Sequence, residues 1–452
     1  MHTGSYSIIR GTLMLFWRNL STGWLAAFAA TVASVILAVG ILVATGNRSP
    51  SSPQPATSPP PAADISPSID VSTLPATPPV KRPTSCPAAS LADSRGAWVV
   101  PWLNNPGVSD SVPAQAKRLG LLDFFWLALG PAPEIILQHP ADQDTRPLDS
   151  VLAAAHSANP CGLRFVTIVD NFSGSADPTD AKAWLARILL DPQARQRHVQ
   201  ALAAEMARHP LADGLTVDYE FKLPTAAAMP LYAKVGHLEQ LLPNQQDQLV
   251  DHITAGYSRL MQDLTLAMHH QQRQLRMTTL VRDQGQLNYE NLPAYISDYA
   301  AISRVVDQLI LMAYDYHWSS GDPGPIAPLD WIRNVWNYVE TYNPPPGRLA
   351  IALPAYAYDW PVDSSGKTLE EATDLTPTQV SAADWPRVGG QDGETHYTYR
   401  DGQGGLHQVW DAASGLATKV ASVRQFCGCS VMAWKVGNTD PAGSRLVLAA
   451  LG

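Results

Sequence analysis

The sequence predicts an α/β fold: a (β/α)8 TIM barrel with a small inserted β-hairpin subdomain, preceded by a transmembrane helix and a disordered linker. Three observations lead there. An uncharged apolar run lies near the N-terminus, a proline-rich stretch follows it, and over residues 93–452 eight short apolar segments alternate with amphipathic ones.

Trp24–Thr45 contains no charged side chain. At 1.5 Å per residue this makes about 33 Å of helix, enough to cross a hydrocarbon core of ~30 Å. Residues 24–45 are therefore expected to be a signal-anchor in the cell membrane, with residues 1–23 cytoplasmic. Arg10 and Arg18 precede the run and no acid does, which suits an inside N-terminus, although Arg48 weakens the asymmetry. Ala44-Thr45-Gly46 would also suit cleavage of a secretory signal. Either outcome leaves the rest of the chain extracytoplasmic, as a single-pass or a secreted protein.

Residues 46–92 read as the linker. From residue 49 onward they hold twelve of the 38 prolines, interleaved with Ser, Thr and Ala, too little apolar surface to offset the entropy of folding. The chain carries a formal charge of −9, with 31 Lys and Arg against 40 Asp and Glu, and no basic stripe. Nucleic acid is accordingly excluded as a partner, because phosphate binding needs clustered cations. All four cysteines follow the apolar run, where disulfides are permitted, and four cysteines allow three pairings. Cys427-x-Cys429 has no second Cys/His pair beside it, so it is a poor zinc signature. Nothing in the sequence asks for a metal or cofactor, and oligomeric state is not encoded legibly.

The eight segments are Ala97–Trp102, Phe124–Leu129, Arg164–Val169, Gly214–Glu220, Met277–Val281, Gln308–Tyr314, Arg348–Leu353 and Ser430–Trp434. Helical stretches such as Ala181–Leu190, Gln196–Arg208 and Asp251–Gln272 fall between them. The alternative, a doubly wound open sheet, would want a Gly-rich nucleotide turn after the first strand, and Pro101-Trp-Leu-Asn-Asn-Pro106 is not one. Two stretches exceed what a barrel needs: residues 221–250, and an insertion at about 361–412. The latter contains Thr395–Arg400, a Gly-rich turn and Leu406–Trp410, the pattern of a β-hairpin.

Alternate residues of a strand share a face. In Leu215–Glu220 that sends Leu215, Val217 and Tyr219 toward the helices, and Thr216, Asp218 and Glu220 into the barrel. Two inward carboxylates near a strand end are costly unless their charge is compensated or used, and their proximity favours a raised pKa in one of them. They are candidate catalytic residues. The structural alternative is a carboxylate pair satisfied by Arg or by backbone amides.

Asp213-Gly-Leu-Thr-Val-Asp-Tyr-Glu220 resembles the DGxDxDxE signature of glycoside hydrolase family 18, the chitinase family. Met312-Ala-Tyr-Asp315, Leu353-Pro-Ala-Tyr-Ala-Tyr-Asp-Trp360 and Val431-Met-Ala-Trp434 resemble the family's sixth-, seventh- and eighth-strand segments. The hairpin ending in Val409-Trp410-Asp411 resembles most the branch of bacterial spore-cortex-lytic and related peptidoglycan-active enzymes. The resemblance implies a glycosidase cutting β-1,4 bonds beside N-acetylglucosamine, in peptidoglycan or a chitin-like polymer, with retention of configuration. It makes Glu220 the proton donor, Asp218 the clamp on the substrate's 2-acetamido group and Tyr314 a hydrogen-bond donor to that group. Asp315, Trp434, Met312 and Asp213 become substrate-binding residues. Trp126 and Tyr358 lie near predicted strand ends, where they could stack on sugar faces or pack as core; Trp360 is expected to pack and His317 is open to either role. Thr216 departs from the signature by replacing a charged residue with a neutral one. A chitinase-like lectin is the rival reading, but such proteins typically lose the acid that stands here as Glu220. A metal-dependent deacetylase lacks the clustered Asp/His ligands it would need.

Overall fold

The computed structural model describes residues 69–87, 90–92, 94–100, 108–138, 147–170, 178–220, 246–281, 297–436 and 441–451. The expected anchor at 24–45, the first part of the linker and residues 221–245 lie outside them. Among the described residues no helix is long and apolar enough to cross a membrane.

Eight parallel strands form the centre: β1 Arg95–Val99, β2 Leu121–Leu129, β3 Leu163–Val169, β4 Gly214–Asp218, β5 Gln274–Leu280, β6 Gln308–Met312, β7 Leu349–Pro354 and β8 Ser430–Val436. Each pairs with the next, and β8 pairs with β1, which closes the barrel. Each of the eight segments expected between residues 97 and 434 overlaps one of these strands. Helices between them include Leu148–Ala158, Pro178–Leu190, Pro192–Ala207, Gln246–His270, Leu329–Glu340 and Leu416–Cys427. The start of Pro192–Ala207 follows local chemistry: the Asp191 carboxylate accepts from Gln193 N at 2.9 Å ahead of Pro192, satisfying a first-turn donor.

Alternation along the strands sorts the core into two layers. Outward residues such as Leu215, Val217, Leu309, Leu311 and Ile351 pack against the helices. Inward ones fill the lumen: Trp98, Phe125, Phe165, Val169, Ile310 and Met432, with small Ala350 and Ala352 making room for the rings. Gly214 is demanded by a close approach at the start of β4, since a Cβ there would lie 2.4 Å from the Phe165 ring.

The inserted hairpin belongs to something larger. Glu394–Arg400 and Leu406–Asp411 are strands, as expected, but Thr373–Leu375, Ala357–Val362 and Arg387–Gln391 join them in a five-stranded antiparallel sheet. That sheet starts at Ala357, directly after β7, rather than at 361. Its missing strands were hard to read for physical reasons. Arg387–Gln391 is exposed along its whole length and includes Gly389-Gly390, and Thr373–Leu375 has only three residues.

A second difference concerns the linker. Its described part is docked on the barrel: Leu74 is buried, Val80 N donates to Pro210 O at 2.7 Å, and Arg82 pairs with Asp213 at 3.1 Å. Cys86 is joined by a disulfide to Cys161, and Cys427 to Cys429, which selects one of the three pairings. Few apolar residues are needed to fix a segment that is pinned by a covalent bond and a half-buried ion pair.

Candidate active site

The inward face of β4 presents Thr216 and Asp218, and Glu220 follows at the strand's C-terminal end. Asp218 is buried and accepts a hydrogen bond from Thr278 Oγ1 of β5 at 2.5 Å. Glu220 is half-buried. The residue between them is clamped on both sides. The Tyr219 hydroxyl points outward and donates to His198 Nε2 at 2.7 Å, while His198 Nδ1–H donates to Pro133 O at 2.8 Å. Burial lowers the His198 pKa to about 4, so the imidazole is neutral and this tautomer is set by its two partners. The Tyr219 carbonyl accepts from the Tyr257 hydroxyl at 2.8 Å. The Tyr257 hydroxyl is pushed well above its ordinary pKa, first by burial and then by the charges of Asp170, Asp218 and Glu220 around it.

Below this level the lumen is crossed by a polar belt. Asp123 of β2 accepts from Thr167 Oγ1 at 2.6 Å, from Thr216 Oγ1 at 2.5 Å and from Arg276 Nη1 at 3.0 Å. Arg276 Nε donates on to Gln308 Oε1 at 3.0 Å. Burial pushes the Asp123 carboxyl up, while the Arg276 guanidinium and the two hydroxyls pull it down. Thr216 is thus a hydrogen-bond donor to a carboxylate supplied by another strand.

On the opposite side of the mouth, the segment after β6 carries Tyr314 and Asp315. Asp315 adopts a left-handed φ of 59° and accepts hydrogen bonds from the Tyr356 and Tyr358 hydroxyls, the latter at 3.2 Å. Its carboxyl is pushed up to about 6, mainly by burial, against the pull of both tyrosines and of Lys435. Lys435 pairs with Asp374 of the inserted sheet at 2.7 Å. Trp434 is half-buried, with its ring edge-on to Trp98 at 5.7 Å and to Phe125 at 5.2 Å. Tyr314 packs edge-on to Tyr356 at 6.5 Å. Among the described residues no group of three or more His, Cys, Asp and Glu could hold a metal ion.

The structure therefore gathers Asp218, Glu220, Tyr314, Asp315, Tyr358 and Trp434 at the C-terminal mouth of the barrel, with Met312 buried on the lumen face beneath Tyr314. Two expected residues are elsewhere. Trp126 points into the helix-facing core, buried against Phe124, and Phe125 is the β2 ring that meets Trp434. Asp213 precedes β4, at the other pole, where Arg82 and Arg164 both pair with it at 3.1 Å. It belongs to an ion-pair cluster that ties the docked segment to the barrel. Trp360 is fully buried. His317 donates Nδ1–H to Asp322 O at 2.9 Å and packs on Gly324, where no Cβ would fit, so it shapes its own loop.

Sequence reasoning missed Asp123, Phe125, Asp170, Tyr257 and Thr278. A signal existed for Asp123: it is the lone charge in the apolar run Leu121–Leu129, and a charge so placed must find partners.

The raised pKa of Asp315 has a measurable consequence. Folding favours its neutral form, so its contribution to stability is whole below about pH 4 and is lost as pH rises through about 6. Melting temperatures of the chain and of Asp315→Asn, taken every half unit from pH 4 to 7, are expected to diverge across that window. The wild type should lose more stability on the way up.

A model of the family described as glycosyl hydrolases family 18 matches residues 173–439. The cortical fragment-lytic enzyme of Bacillus subtilis is 27% identical over 151 residues, 32% of this chain and 34% of that protein. The chain covers between 34% and 53% of the length of the curated relatives it matches. Among solved structures, a chitinase from Chromobacterium violaceum superposes with a TM-score of 0.59 at 18% identity, covering 80% of this chain and 99% of that one. The spore cortex-lytic enzyme SleL of Bacillus cereus gives 0.58 at 17% identity, covering 81% and 76%. At such identities these two likenesses concern the fold.

Proposed function

The chain belongs to the glycosyl hydrolases of family 18, and from that premise we propose that it is an extracytoplasmic glycosidase cleaving β-1,4 bonds beside N-acetylglucosamine with retention of configuration. Family 18 departs from the two-carboxylate scheme in that the substrate's own acetamide oxygen attacks the anomeric carbon. Glu220, at the half-buried rim, protonates the departing glycosidic oxygen. Asp218, held by Thr278, faces the acetamido group and stabilises the positive charge that develops on it. Tyr314 orients the acetamide carbonyl, Asp315 and Tyr358 bind sugar hydroxyls, and Trp434 floors the ring. The observation that carries this reading is the pair Asp218 and Glu220 on one inward face at the barrel mouth, opposite Tyr314 and Trp434.

A bacterial wall polymer such as peptidoglycan is preferred to chitin. The name of the cortical fragment-lytic relative supports that choice, as does the proline-rich spacer after the apolar run 24–45, which we read as a membrane anchor. The test offers the full chain N-acetylated chitooligosaccharides, their N-deacetylated counterparts and peptidoglycan. Cleavage of acetylated substrates with the β-anomer appearing first, and none of deacetylated ones, is the expected result. Inertness toward every acetylated polymer would leave only the carbohydrate-binding reading.

A further inference from the structure

The belt beneath Asp218 contains an ion pair that the proposed chemistry does not use. Asp123 and Arg276 meet at 3.0 Å with no side-chain exposure on either. A buried pair of this kind is weak evidence for stability, because the desolvation of both ions offsets their attraction. Its directions of donation are informative. Thr167 Oγ1 accepts from Trp98 Nε1 at 3.2 Å, so its own proton goes to Asp123 Oδ1. Thr216 and Arg276 donate to Oδ2. Both oxygens are thus acceptors, held by donors from three other strands.

Arg276 is aligned with Thr216 across the β4–β5 pairing. Asp218 lies two residues further along the same inward face, about 7 Å away at the rise of a strand, within reach of a freed arginine. Arg276 Nη2 is buried and has no hydrogen-bond partner among the described residues. We propose that Asp123 is a positioning residue: it holds the Arg276 guanidinium down in the belt and prevents it from pairing with Asp218. A guanidinium on Asp218 would consume the negative charge that the substrate's acetamido group needs. This rests on the role given to Asp218 above.

Other titratable groups around Asp218 are Asp170 at the end of β3, Glu220 on β4's own end and Tyr257 from the helix Gln246–His270. Across the mouth stand Tyr314, Asp315 and Lys435. All are retained in the variants below, so differences between variants isolate the pair.

The test compares the full chain with Asp123→Asn, Arg276→Gln and the double variant, after confirming folding by circular dichroism. Two readouts are taken: the acidic limb of kcat on a soluble chitooligosaccharide, and the Asp218 carboxyl titration by carbon NMR, assigned by difference from Asp218→Asn. Asp123→Asn should shift both down by about one pH unit, tenfold in the ionisation constant, and lower kcat. The double variant should return both toward wild type. A titration unmoved in Asp123→Asn, or one that stays shifted in the double variant, overturns the proposal. If Asp123→Asn does not fold, Thr216→Val carries the test by removing one donor to Asp123, with a smaller shift of the same sign expected. The NMR readout needs no turnover, so a chain that hydrolyses nothing refutes the glycosidase reading and leaves this proposal to its own result.

Discussion

Glu220→Gln is expected to lower kcat on acetylated oligosaccharides by at least ~10²-fold, the usual worth of a positioned general acid. The amide keeps the shape and polarity of the side chain but has no proton to give to the leaving oxygen. Little stability should be lost, because Glu220 lies half-buried beyond the end of β4 and the clamp on that strand acts through Tyr219. KM should change little, so the loss appears in kcat and kcat/KM alike. A substrate whose leaving group needs no protonation, such as a dinitrophenyl glycoside, should recover much of the rate. An aryl glycoside cut as slowly as the natural polymer would remove Glu220 from the role of acid.

The second large effect is expected far from the carboxylates. Glu394, in the inserted sheet, is buried and pairs with Lys419 at 3.0 Å, neither side chain being exposed. Its two oxygens accept from the backbone N–H groups of Ile326 and Ala327, each at 2.8 Å. Asp392 does the same for Leu329 N at 2.8 Å. These bonds pin the long segment after β6, the one that begins with Tyr314 and Asp315. Glu394→Gln leaves Lys419 charged, buried and unpaired, which should cost about 3–5 kcal/mol. Urea midpoints measure this directly. Glu394→Gln combined with Lys419→Met should regain a large part of it, since the orphaned charge is then gone. Both variants should still bind oligosaccharide more weakly than wild type if the pinned segment positions Asp315.

The barrel was legible because each of its strands is an apolar run of a length that only strands use, separated by helical periods. The inward face of β4 was legible for a narrower reason: period-two alternation within a single strand fixes which residues share the lumen. Trp126 was named for its place near a strand end, and alternation could have excluded it only with a starting point. β2 begins at Leu121, before the run that was recognised, and its register shifts between Phe125 and Leu127. Asp123 settles the parity, putting Phe125 inside and Trp126 outside. Asp213 misled differently. It sits in the signature beside Asp218 and Glu220, yet the length of β4 separates it from them, and proximity in a motif is not proximity in space. Partners from other strands, such as Asp123 for Thr216 or Thr278 for Asp218, depend on the shear of the barrel, which no single segment encodes.

The docking of residues 71–86 decides which end of the barrel that segment can reach. Arg82, Val80 and Cys86 attach to Asp213, Pro210 and Cys161, all at the pole where the strands begin. Residues 71–86 are therefore fastened at the base of the barrel, while Asp218 and Glu220 stand at the other pole. The disulfide and the ion pair act as a rivet there, and they keep this segment clear of the cleft.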